Sequence, residues 1–111
     1  MNQPSFQPSS DRFIVQVDPE IEDIVPIFLQ NRSDDVESLS KALEDGDFDT
    51  IRLLGHSMKG SGGGYGFDAI TDIGRSLEQA ATGQSSGEIK RLVEELASYL
   101  NRVEVVYEQP Q

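Results

Sequence analysis

Ile51-Arg-Leu-Leu-Gly-His-Ser-Met-Lys-Gly-Ser-Gly-Gly-Gly-Tyr-Gly66 holds the only histidine of this 111-residue chain, His56, and six of its ten glycines. An α-helix turns about 100° per residue, so the faces of this stretch follow from counting. With His56 at zero, Arg52, Lys59, Gly60 and Gly63 fall within about 60° of it. Ile51, Leu54, Met58, Gly62 and Tyr65 fall on the far side, where a core-facing stripe belongs. Read as one helix ending at Gly66, the stretch sets an imidazole on the solvent face beside an ammonium. One and two turns further along, that face carries no side chain.

Glycine inside a helix costs about 1 kcal/mol relative to alanine, so a run of glycines here calls for a reason. Bare backbone lets a bulky group approach a ring nitrogen and lets another backbone pack closely. An exposed imidazole is nucleophilic at neutral pH, and Lys59 offsets the charge of an anionic group that arrives there. The chemistry this fits is carriage of a phosphoryl group.

His56-Ser-Met-Lys59-Gly60-Ser61-Gly-Gly-Gly-Tyr-Gly66 resembles the signature of histidine-containing phosphotransfer (HPt) domains, His-x-x-Lys-Gly-small-small with a further glycine. The match is tight over these eleven residues and looser, through helix order and spacing, over roughly 19–107. The resemblance implies that His56 is the phosphorylated residue, Lys59 the cation one turn on and Gly60 the clearance beside the ring. Glu78, 22 residues after the histidine, stands where the family places a Gln or Glu that hydrogen-bonds the imidazole. A one-residue shift would give that place to Gln79. The glycine density at 62–64, where many relatives carry alanine or serine, leaves the helix end open. Arg52, Leu53 and Gly63 are candidates for contact with a docking partner.

The rest of the chain sets bounds on that reading. Its length suits one domain. With no cysteine and one histidine, disulfides, thiolate chemistry and a His/Cys zinc site are excluded. Nine basic against twenty acidic residues give a net charge of −11, which argues against nucleic acid or an anionic membrane as partner. No basic start followed by an apolar run marks a signal peptide, and no stretch approaches a membrane span. The expected location is the cytoplasm and the expected state a monomer.

Residues 1–12 read as a disordered polar tail and 13–108 as the domain. Phe13-Ile-Val-Gln-Val17 alternates and is expected as an extended lead-in lying against helices. Asp18-Pro19 starts a short helix that breaks at Pro26, where a kink leads into a second helix ending at Gly46. Asp47 opens the helix of His56, and Asp68 is expected to cap the next, whose inner face includes Ile70, Ile73, Gly74 and Leu77. Ser85-x-x-Glu88 reads as a capping box before a last helix carrying Ile89, Leu92, Leu96, Leu100, Val103 and Tyr107. Short turns make successive helices antiparallel neighbours, so the fold expected is all-α: an up-down four-helix bundle with a short kinked N-terminal segment.

Competing motifs are poor. Gly55-x-x-x-x-Gly60 lacks the Lys-Ser/Thr of a P-loop, and Gly64-Tyr-Gly66 lacks the βαβ setting of a dinucleotide site. Ser57, next to His56 in sequence, points elsewhere on the helix, so no triad is evident. The acidic clusters at 34–37, 44–49 and 94–95 read as solvated faces.

The resemblance implies a phosphorelay intermediate that exchanges phosphate with the aspartate of a response-regulator receiver domain, or takes it from a histidine kinase. The receiver would supply the acidic pocket and Mg²⁺, so no cofactor is expected on this chain. It is too short to hold a nucleotide-binding kinase domain as well, so a carrier without ATP-dependent activity is expected. The alternative is an HPt-like module that docks a receiver or kinase without being phosphorylated. A third reading is a segment of a larger histidine kinase; Met1 and the polar tail favour a free-standing protein.

Overall fold

The computed structural model describes residues 12–107; the tail expected over 1–12 lies outside them except for Arg12. Four helices form an antiparallel bundle: α1 (Val25–Glu44), α2 (Phe48–Ser61), α3 (Asp68–Thr82) and α4 (Ser86–Arg102). Their apolar stripes meet in one core in which Leu39, Ile51, Met58, Phe67, Leu77 and Leu96 are fully buried. The fold class is therefore the all-α four-helix bundle that the helical periodicity implied.

Two short strands are added to it. Phe13–Val17 (β1) pairs in parallel with Val103–Tyr107 (β2), Phe13 opposite Val103 and Val17 opposite Tyr107. The lead-in is thus half of a sheet, and the last helix stops at Arg102 instead of running on to Tyr107. Val103 and Tyr107 fit helical spacing from Leu96 and Leu100, but Val103, Val105 and Tyr107 also alternate. The β-branched, aromatic run Val-Glu-Val-Val-Tyr favours the pleated state once β1 lies beside it. Val17 is buried, Phe13 lies 5.1 Å from the Tyr99 ring, and Arg12 pairs with Glu104 at 2.6 Å.

The helix ends follow local chemistry. Asp18 accepts a hydrogen bond from the Glu20 amide at 2.9 Å, but the short helix expected after it is a single 3-10 turn, Pro19–Ile21. Instead of a kink at Pro26, α1 starts afresh at Val25, with the proline in the first turn, where an amide hydrogen has no helical partner. Gly46, at φ 68°, closes α1, and Asp47 caps α2 by accepting from the Thr50 amide at 3.1 Å.

Two expected caps do not form. Asp68 is the first helical residue of α3, and Phe67 takes the cap position because its ring is buried, 5.3 Å from that of Phe28. Ser85 precedes α4 without a capping bond from its side chain, and Glu88 binds Arg91 at 2.6 Å instead of turning back.

The glycine-rich segment also departs from the single helix expected through Gly66. Helix α2 ends at Ser61, a 3-10 turn covers Gly63–Tyr65, and Gly66 reverses the chain at φ 89°. Poor helix propensity at 62–64 leaves nothing to hold α-helical bonds past the Gly62 amide, which bonds to the Met58 carbonyl at 3.0 Å.

Candidate functional site

Helices α2 and α3 are held at close range by two glycines. A Cβ on Gly55 would stand 2.7 Å from the Gly74 carbonyl oxygen, and one on Gly74 would stand 2.6 Å from the Lys59 amide nitrogen. Only hydrogen fits at either position, so the two backbones touch. This crossing brings His56 and Lys59 on α2 up to Glu78 on α3.

The Glu78 carboxylate serves both neighbours. Its Oε2 lies 3.0 Å from His56 Nδ1, and its Oε1 lies 2.8 Å from Lys59 Nζ. The hydrogen bond from Lys59 is the largest influence on the carboxyl group and holds it below the ordinary glutamate range. Partial desolvation opposes that shift and the bond to His56 assists it. An ionised carboxylate accepts and cannot donate, so Nδ1 carries the hydrogen in this contact. In the neutral ring Nε2 then holds the lone pair. The imidazole is 64% exposed, whereas the Glu78 side chain is mostly covered.

The other candidates are placed as follows. Gly60 follows Lys59 on α2, and a Cβ there would meet nothing within 4 Å. Arg52 is exposed, and Leu53 is a large apolar side chain left 58% exposed. Gly63 lies beyond the end of α2, so the helical count does not hold for it; a Cβ there would point at Thr71 and Asp68 of α3. Gln79 is exposed, and it is Glu78, one residue earlier, that reaches the ring.

Sequence reasoning missed Gly55. The available signal was a glycine well inside a helix, one residue from the histidine and on the side that also carries Lys59, where an unexplained propensity cost points to close packing. Among the described residues no group of three or more His, Cys, Asp or Glu side chains gathers as a metal site. No helix among them is long and apolar enough to cross a membrane.

A model of the Hpt domain family matches residues 23–105, the four helices together with the start of β2. Searches of curated proteins and of solved structures each returned no match.

Proposed function

Because the chain belongs to the Hpt domain family, whose members are phosphocarrier modules of phosphorelays that meet receiver domains and histidine kinases, we propose that it carries a phosphoryl group on His56. The observation that supports this most is the state of the ring: exposed, with Nδ1 committed to Glu78 and Nε2 left as the free nitrogen.

In the proposed step a receiver domain bearing an aspartyl phosphate docks over the α2 face. Nε2 attacks phosphorus in line, the N–P bond forms, the P–O bond to the aspartate breaks, and the aspartate leaves as carboxylate. No proton has to move. The ring gains positive charge, which the Nδ1–H bond to Glu78 stabilises, and Lys59 offsets the charge on the phosphoryl oxygens. The reverse sequence passes the group to the next receiver. Such transfer depends mainly on positioning and charge stabilisation.

Gly60 supplies clearance for the incoming receiver, and Arg52, Leu53 and Gly63 flank the docking surface. Mg²⁺ is expected on the receiver, and no ATP-dependent kinase activity is assigned to this chain. The expected setting is the cytoplasm, with the protein acting as a monomer.

The test is transfer together with binding. The protein and its His56→Gln variant are incubated with phosphorylated receiver domains, and receiver affinity is measured for both. Base-stable, acid-labile label on the wild type alone, with binding retained by the variant, is the expected result. Binding by both forms without label on either would reduce the chain to a docking module.

A further inference from the structure

Arg32 of α1 is a charged side chain left only 13% exposed, and its partner Asp35 only 17%. Its guanidinium makes three contacts. Nε donates to Asp35 Oδ2 at 2.8 Å, Nη1 donates to Ser61 Oγ at 3.3 Å, and the group lies 5.0 Å from the centre of the Phe28 ring. Phe28 in turn packs against Tyr65 at 4.8 Å and Phe67 at 5.3 Å. Ser61 is the last residue of α2, and Tyr65 and Phe67 flank the chain reversal at Gly66. We propose that Arg32 is a positioning residue for phosphoryl transfer, holding the last turn of α2 wound and so keeping Lys59 in place beside His56. The inference rests on the carrier reading and adds to it a residue that acts from another helix, through Ser61.

The last turn of α2 needs an outside hold. Met58–Ser61 contains Gly60, and Gly62, Gly63 and Gly64 follow it; glycine is a poor helix former. The bond from the Gly62 amide to the Met58 carbonyl, at 3.0 Å, closes this turn. A helix end of this composition frays unless tertiary contacts fix it. From α3 it is fixed by the Lys59–Glu78 pair and by the approach of Gly74 to the Lys59 amide. From α1 it is fixed by Arg32, which also brings a positive charge to the negative pole of the helix.

The burial of the ion pair fits placement better than stability. Desolvation pushes the Asp35 carboxyl above its ordinary value, and the Arg32 charge only partly offsets that. A pair this covered gains little net stability. What it fixes is direction: the planar guanidinium meets Asp35 through Nε and Ser61 through Nη1 at once. A lysine ammonium, a point charge on a flexible stem, does not reproduce that fork.

Two readouts test this without a receiver. Hydrogen exchange at the Gly62 amide reports the last turn of α2, and the Leu77 amide in α3 reports global opening. Phosphoramidate then phosphorylates the ring directly: its P–N bond breaks, a P–Nε2 bond forms and ammonia leaves. His56 is the only histidine, so a single rate is followed. The proteins are wild type, Arg32→Met and Arg32→Lys, each with and without Lys59→Gln, and Val17→Ala as a destabilised control far from the ring in sequence.

In Arg32→Met the Gly62 amide is expected to exchange roughly tenfold faster, the scale of one hydrogen bond to a charged group. Leu77 exchange should change no more than in Val17→Ala. Phosphorylation should slow by roughly three- to tenfold, up to the full scale of that bond, and the slowing should vanish in the Lys59→Gln background, since Arg32 acts through Lys59. Arg32→Lys keeps a counter-charge for Asp35 and hence the fold, and should show the same pattern at smaller size; Val17→Ala should leave the rate unchanged. Equal acceleration at Gly62 and Leu77 would make Arg32 a stabilising residue only. An unchanged phosphorylation rate, or equal slowing with and without Lys59, would separate it from the site. Each of these results overturns the proposal. Failure of every receiver to transfer phosphate to the wild type would count against the carrier reading and leave these measurements standing.

Discussion

Replacing Gly74 by alanine is expected to push α2 away from α3 and to damage both stability and the site. The new Cβ would stand 2.6 Å from the Lys59 amide nitrogen, 2.7 Å from the Gly55 oxygen and 2.7 Å from the Met58 Cβ. Ordinary contact begins at 3.4 Å, so about 0.7 Å must be found. Two of the three neighbours are backbone atoms, and no rotamer change relieves them. Overpacking of this kind costs about 1–3 kcal/mol, sometimes more. Opening the seam by 0.5–1 Å also forfeits about a quarter to a half of each dispersion contact across it. Alanine returns about 1 kcal/mol of helix propensity, so overpacking alone leaves a net loss of up to about 2 kcal/mol, and the forfeited dispersion across the seam adds to it.

The control is Gly60→Ala on the same helix, where a Cβ meets nothing within 4 Å. Here propensity acts alone, and a gain of up to about 1 kcal/mol is expected. Thermal or urea unfolding of the two variants should therefore shift in opposite directions, at about 4–8 °C per kcal/mol for a domain of this size. In Gly74→Ala the His56–Glu78 bond should also be lost, read from the ring tautomer by ¹⁵N NMR. A Gly74→Ala protein as stable as wild type with that bond intact would refute the close-packed crossing.

Other predictions follow from the same geometry. Glu78→Ala should slow phosphotransfer by roughly five- to tenfold, the scale of one hydrogen bond that orients the ring, while receiver affinity measured by calorimetry stays the same. The Glu78 carboxyl is held below its ordinary value, first by Lys59. Its contribution to stability is therefore present above the unfolded glutamate range and is lost as pH falls through the lower folded value. The Glu78 ¹³Cδ titration should show a depressed midpoint that Lys59→Met moves back up. Val17→Ala, at the buried end of β1, should destabilise by roughly 1–3 kcal/mol in urea unfolding. No loss there would mean that the strand pair contributes nothing to the fold.

The bundle was legible because its helices carry long apolar stripes with turn chemistry between them. Gly46 and Asp47 show this at its clearest, one at a left-handed φ and the other accepting from the Thr50 amide. The strand pair was not legible, because Val103 and Tyr107 satisfy both periods and the deciding partner lies some ninety residues earlier. The end of α2 was blurred for a related reason: a glycine run has no side chains to show a face, and only the φ of Gly66 reveals where the chain turns. Asp68 and Ser85 carry cap-type side chains, yet burial of Phe67 and the Glu88–Arg91 pair determine what forms there. Around His56, the residue types were visible in the sequence. That one carboxylate joins ring and lysine depends on the Gly55–Gly74 approach, which helical counting on α2 alone does not contain.

Carriage of phosphate by His56 between aspartates can be followed in a two-receiver relay. A first receiver labelled on its aspartate is mixed with an unlabelled second receiver, with this protein or its His56→Gln variant present in catalytic amount. Label is expected to reach the second receiver only with the wild-type protein, passing through an acid-labile intermediate on it. Label arriving equally well with the His56→Gln variant would rule out phosphate carriage by His56.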